Sequence, residues 1–174
     1  MSGASGTLYI VDGYNVLHFM FRGAEKEEIF ARRDWLADRL ASFAALRGAR
    51  VVLVFDSSSP RSTSSEPIKG APVEVVFAGG RFTADTLIAR RIARQPADVE
   101  VVVVSADQEV QRTASRAGVS RMTPPELAAE LSGDDRNGQA LDSASDSTRM
   151  PSRLEDKVDP ETLRRLEEMR HKPQ

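Results

Sequence analysis

Four aspartates of this chain stand where chemistry on a phosphate would need them: Asp12, Asp56, Asp85 and Asp107. Asp12 and Asp56 each end an apolar run, Leu8-Tyr9-Ile10-Val11 and Val51-Val52-Leu53-Val54-Phe55. Asp107 follows the run Val101 to Val104 by way of Ser105-Ala106, and Asp85 opens a helical pattern two residues after Thr83. Carboxylates crowded together cannot all ionise cheaply without a cation. A divalent metal with oxygen ligands relieves that repulsion, and Mg²⁺ or Mn²⁺ suits an all-carboxylate donor set. Such an ion activates water and stabilises charge building on a phosphate oxygen. A plainer use is open to the strand-end aspartates, since Asp after a strand commonly caps the next helix. Asn15, three residues after Asp12, is either a hydrogen-bond partner of the site or a loop-stabilising amide.

The elements that must position these residues follow from patterning. Residues 7 to 12, 50 to 55, 73 to 77 and 99 to 104 read as strands, with a short edge strand over 119 to 122. Their continuous apolar character predicts burial on both faces, as in a parallel sheet. Residues 13 to 24 read as an apolar loop that packs down, and Ser57 to Pro72 as a long loop. A helix is expected from Glu25 to Arg47, where Ile29, Leu36, Leu40 and Phe43 share one face and Gly48 provides the stop. Further helices are expected over Thr83 to Gln95, 108 to 117, and from Pro124-Pro125 through Leu131. Alternating strands and helices argue an α/β sandwich with a mainly parallel sheet. Ligands collect at the carboxyl ends of such strands, where strand order reverses. If the first strand neighbours the 99 to 104 strand there, Asp12, Asp85 and Asp107 face one crevice.

Composition narrows the alternatives. The chain has 174 residues and no Cys, which removes disulfides, thiolate zinc sites and Cys nucleophiles. With only His18 and His171, a His-rich metal site is excluded as well. The net charge of −2 gives no global argument for nucleic acid, but a local basic patch suffices for binding. No signal peptide and no apolar run near the ~20 residues of a membrane span is visible, so a cytoplasmic location without membrane contact is expected. Past residue 131 the composition turns to Asp, Ser, Gly and Asn. The expected organisation is a domain over 7–131, a flexible linker over 132–158 and a short C-terminal helix over 159–171, capped by Asp159 with Pro160 behind it.

The pieces Val11-Asp12-Gly13-Tyr14-Asn15, Val54-Phe55-Asp56, Val73-Glu74-Val75-Val76-Phe77, Thr83-Ala84-Asp85-Thr86-Leu87-Ile88 and Val104-Ser105-Ala106-Asp107 occur in an order that resembles the YacP-like branch of the NYN domains. The resemblance covers about residues 7 to 131. It implies a PIN-like three-layer α/β/α sandwich and metal-dependent cleavage of RNA. It also implies Asp12 and Asp85 as the principal acidic residues, Asp107 close by and Asn15 in support. The branch includes a ribosome-associated endonuclease that cuts messenger RNA, which makes mRNA the expected substrate and the ribosome a candidate partner. The 132–158 stretch has few basic residues, a departure that weakens the link to the ribosome.

The sequence reading is thus an endoribonuclease dependent on Mg²⁺ or Mn²⁺. Asp12, Asp85, Asp107 and Asp56 are the candidate ligands, with Asn15 beside Asp12 and Asp85 in the catalytic set. Arg81, Arg90, Arg91 and Arg94 are the candidates for holding the RNA backbone. The alternative is a non-catalytic RNA- or ribosome-binding module on the same fold. A phosphotransfer enzyme is disfavoured, because Tyr14 stands where an Asp-x-Asp arrangement would need a second acid.

Overall fold

The computed structural model describes residues 6–57 and 63–133. The chain divides into two units, Met1–Arg136 and Asn137–Gln174, and the described residues belong to the first. Most of the expected linker and all of the expected C-terminal helix lie outside the described residues.

Six strands form one sheet: β1 (Leu8–Asp12), β2 (Arg50–Asp56), β3 (Ser64–Pro67), β4 (Val73–Ala78), β5 (Val101–Val104) and β6 (Ser120–Met122). Their order is β3-β4-β2-β1-β5-β6. Every pairing is parallel except β3 with β4. The chain moves from β1 outward to β2, then returns to β5 on the other side, so β1 borders the point where strand order reverses. The neighbour relation expected of the first and the 99 to 104 strands is present.

The sheet is covered on both faces. Alternate residues of each strand point to opposite sides. Val11, Leu53 and Phe55 join one core with Val16, Leu17, Leu36, Leu40 and Phe43, under α1 (Gly13–Met20), α2 (Lys26–Ala31) and α3 (Arg33–Arg47). Leu127 and Leu131 of α6, residues 124–133, complete it. Ile10, Val52, Val54 and Val103 join the other core with Ile88, Ile92 and Val110, under α4 (Ala84–Ala93) and α5 (Gln108–Arg116).

Three expectations are corrected. Residues 13 to 20 form a helix rather than a loop, because Asp12 caps it by accepting from the Asn15 amide and Val16 and Leu17 bury its inner face. The 25 to 47 helix is two helices, broken at Arg32, where ψ rises to 1° and the amide donates to Ile29 rather than one residue further back. The 57 to 72 loop contains β3, a fully exposed edge strand whose sequence has no apolar alternation. Pro67 is tolerated there because an edge strand has a side with no ladder to serve.

Candidate metal and phosphodiester site

Asp12 ends β1 as part of its even-numbered series, so its side chain leans to the α4 and α5 side of the sheet. It is 6% exposed. Oδ1 accepts from the Asn15 amide at 3.3 Å, while Oδ2 accepts from Asn15 Nδ2 at 3.0 Å and from Ser105 Oγ at 3.1 Å. Burial pushes the carboxyl up to about 6, against the pull of those hydrogen bonds, and the charges of Asp85 and Asp56 push the same way.

Asn15 has a defined job. Besides donating to Asp12, its Oδ1 accepts from the Ala106 amide at 2.9 Å, which joins the start of α1 to the loop after β5. Ser105, fully buried, completes the frame: its Oγ donates to Asp12 and accepts from the Asp107 amide at 3.0 Å. Gly13 is required for space, since a Cβ there would overlap the ring of the fully buried Phe55.

The other three aspartates divide by how much of each carboxylate is already spent. Asp56 Oδ1 accepts from the Ala84 amide at 2.7 Å and so caps α4 from the end of β2. Asp107 Oδ1 accepts from the amides of Glu109 and Val110 at 2.7 and 3.2 Å and caps α5. Asp85 lies in the first turn of α4, where Thr83 also supplies a cap, and its carboxylate accepts no hydrogen bond among the described residues. Burial, then the charges of Asp107 and Asp56, hold the Asp85 carboxyl above its ordinary value. The four groups are therefore electrostatically coupled at one edge of the sheet, as the strand order requires.

The donor set fits a hard cation of the magnesium type, which binds through one or two carboxylates and keeps several waters. Asp12 and the open Asp85 are suited to that task. Among the described residues, no three His, Cys, Asp or Glu side chains are close enough to hold a metal between them. The arrangement is an open acidic edge rather than a closed cage, because Asp56 and Asp107 each turn one oxygen to a helix N-terminus.

The expected phosphate-binding arginines lie on or near α4. Arg81 is exposed in the turn before it. Arg90 packs on the Phe82 ring at 4.0 Å, and Arg91 pairs with Glu74. With Arg94 they line a cavity of about 310 Å³, beside Thr63, Ser65 and Gln95. Arg91 is already neutralised there; Arg90 and Arg94 have no ion-pair partner among the described residues. Sequence reasoning singled out neither Ser105 nor the packing need at Gly13. For Ser105 the available signal was a small hydroxyl directly after a strand of four valines.

A parallel sheet with its reversal at β1, helices on both faces and aspartates gathered at the carboxyl edge define an α/β domain of the PIN-like kind. The family model of the YacP-like NYN domain matches residues 9–171, and the chain belongs to that family. Its fold is similar to the crystal structure of Rae1 (YacP) from Bacillus subtilis, with a TM-score of 0.68 at 22% identity over 94% of this chain and 94% of that one. A single-substitution mutant of the same Bacillus subtilis protein gives 0.66 at 23% identity, over 81% of this chain and 85% of that one. No curated protein sequence matches the chain significantly. Among the described residues no helix is long and apolar enough to cross a membrane.

Proposed function

We propose that the protein is a divalent-metal-dependent endoribonuclease that hydrolyses RNA phosphodiester bonds at the carboxyl edge of the sheet. One observation carries the reading. A buried carboxylate, Asp12, is held by Asn15 and Ser105 while two further carboxylates lie near enough to raise its proton affinity. Burying an anion beside other anions costs stability, and perturbed groups of this kind cluster at functional sites. Membership in the NYN family supports RNA as the substrate class.

Asn15 and Ser105 fix the orientation of Asp12 and leave part of its acceptor capacity for a cation. Asp85 brings a second carboxylate from α4 without a competing hydrogen bond. Together they would hold Mg²⁺ or Mn²⁺, with Asp56 and Asp107 keeping the edge negative and setting the helix starts. When bound, the cation supplies Lewis-acid stabilisation of the phosphate and lowers the pKa of a water. Arg90 and Arg94 would hold the RNA backbone further along α4. Messenger RNA as the substrate and the ribosome as a partner rest on the family resemblance.

The test is cleavage of single-stranded RNA by wild type, Asp12→Asn and Asp85→Asn, with Mg²⁺, with Mn²⁺ and with chelator. Loss of cleavage in both folded variants and in chelator is expected. Full cleavage by both variants would overturn the mechanism. RNA binding without cleavage by wild type would favour a non-catalytic binding module.

A further inference from the structure

Across the sheet edge from the carboxylates, on the α1 to α3 side, lies a group that the acidic site does not use. Arg33, the first residue of α3, is half-buried among aromatic rings. Its guanidinium sits 5.3 Å from the Phe30 centroid and 5.4 Å from that of Phe77, and its Nε donates to the Phe30 carbonyl at 3.0 Å. Its charge also reaches the Tyr14 phenol, which burial pushes up and which lies near enough to Asp56 to feel that charge too. Tyr14 in turn packs against Phe30 at 5.5 Å and Phe55 at 5.0 Å, and Phe55 stacks on Phe77 at 5.8 Å.

Two features of this group are unusual for a structural arginine. Among the described residues no carboxylate pairs with Arg33, although carboxylates stand along the same edge. A half-buried cation usually has a counter-ion, and the partner missing here is an anion. The rings around it, Tyr14, Phe30 and Phe77, are all partly exposed, so aromatic surface and fixed positive charge meet in one place. Single-stranded nucleic acid is recognised by that combination, with the backbone phosphate on the cation and a base on an aromatic face.

We infer that Arg33, with Tyr14 and Phe77, is a nucleotide subsite that takes the phosphate and base next to the cleaved bond and sets single-stranded RNA across the edge of the sheet. The inference rests on the ribonuclease reading and adds to it a specificity-determining residue. Arg33 meets the phosphate through its free N–H donors, and the partly exposed rings of Tyr14 and Phe77 offer aromatic surface to the base. Structured RNA would be excluded, because a paired base cannot turn to the ring.

The test uses the full chain and a short fluorescent single-stranded RNA, with anisotropy read in chelator over a series of salt concentrations. Wild-type cleavage in Mg²⁺ is measured in parallel. Arg33→Gln is expected to bind about tenfold more weakly, the loss of one charge-assisted contact. It should also lower the salt slope by about 0.7, one phosphate contact on a single strand. Arg33→Lys, which keeps the charge, is expected to retain the slope without recovering the affinity. If Arg33→Gln matches wild type in affinity and slope while wild type cleaves RNA, the subsite is overturned and the nuclease reading stands. Weaker binding with an unchanged slope also overturns it, because Arg33 then acts through packing alone. Should Arg33→Gln fail to fold, Arg33→Lys decides, and wild-type affinity in that variant overturns the subsite. Wild type that neither binds nor cleaves RNA overturns both readings.

Discussion

The two edges of the sheet are built from the same strands and differ in what they bury. At the carboxyl edge, Asp12 and Ser105 are the two buried polar residues among those described, and every buried polar side-chain atom has a partner. At the amino edge, the ends of α4 and α5 and the start of β5 surround a cavity of about 590 Å³ lined mainly by small and apolar residues such as Ala93, Ala97, Val99 and Val101. Volume is thus a poor guide to chemistry in this molecule. The roomy edge has little to hold a phosphate, whereas the edge with the acids is open and crowded with charge. A polymer substrate needs an accessible edge more than an enclosing pocket, and the carboxyl edge is built that way.

Substitutions should separate the edges sharply. The largest effect is expected from Asp12→Asn, which should lower cleavage by about 10²–10³, the scale for losing a preorganised electrostatic group. The same change should also alter how the stability of the metal-free fold depends on pH, while leaving Asn15 and Ser105 one acceptor oxygen where they now have two. Asp12 is held at about 6, above its ordinary 3.8, so the native state binds its proton more tightly than the unfolded chain does. The stability gained from that tighter binding is fully present below about pH 4 and is lost as pH rises through about 6. Asn has no such dependence. In chelator, the stability of Asp12→Asn relative to wild type should therefore rise by on the order of 3 kcal/mol between acid and pH above neutrality. Denaturant melts across that range would show it, and a stability difference that stays flat with pH would break the contrast between the edges.

Gly13→Ala should come next, at about 1–3 kcal/mol, because the new methyl group meets a buried ring that has no room to yield. Urea denaturation measures that cost, and RNA cleavage should fall with it as the start of α1 shifts. Ser105→Ala should cost about 1–2 kcal/mol by removing the donor to Asp12 and the acceptor for the Asp107 amide. It should also move the Asp12 carboxyl further up, which a carboxyl-carbon NMR titration would follow. Ser120→Ala, at the exposed start of β6 on the amino edge, should lie within about 0.5 kcal/mol of wild type and cleave RNA normally. Equal losses from Ser120→Ala and Ser105→Ala would dissolve the distinction.

What the sequence made legible follows the physics of each signal. Strands β1, β2 and β5 stand out because burial on both faces demands unbroken apolar runs, and the aspartates behind them were therefore visible as edge residues. Strand β3 was hidden because an exposed edge strand demands no pattern at all. Helix α1 was hidden because Gly13, Tyr14, Asn15 and His18 are middling or poor helix formers, and what holds the helix is the cap from Asp12 together with its packing. The break at Arg32 has no Gly, Pro or capping side chain to announce it. At the site, residue types could mark Asp12 and Asp85 but not the division of labour among the acids. Whether an aspartate oxygen faces a helix amide or the open edge depends on tertiary placement. Arg33 escaped notice for the same reason, since its aromatic neighbours come from α1, α2 and β4.

The hydrogen bond from the Ala84 amide to Asp56 spans 28 positions of sequence. It makes the last residue of β2 the datum from which α4 begins, so Asp85 inherits its location from a strand on the other side of a long connection. Release of that bond would let the first turn of α4 fray and carry Asp85 with it, and the Ala84 amide would then exchange with solvent at the rate of a loose helix end. Strand β2 therefore governs the site at a distance, by fixing where the neighbouring helix starts.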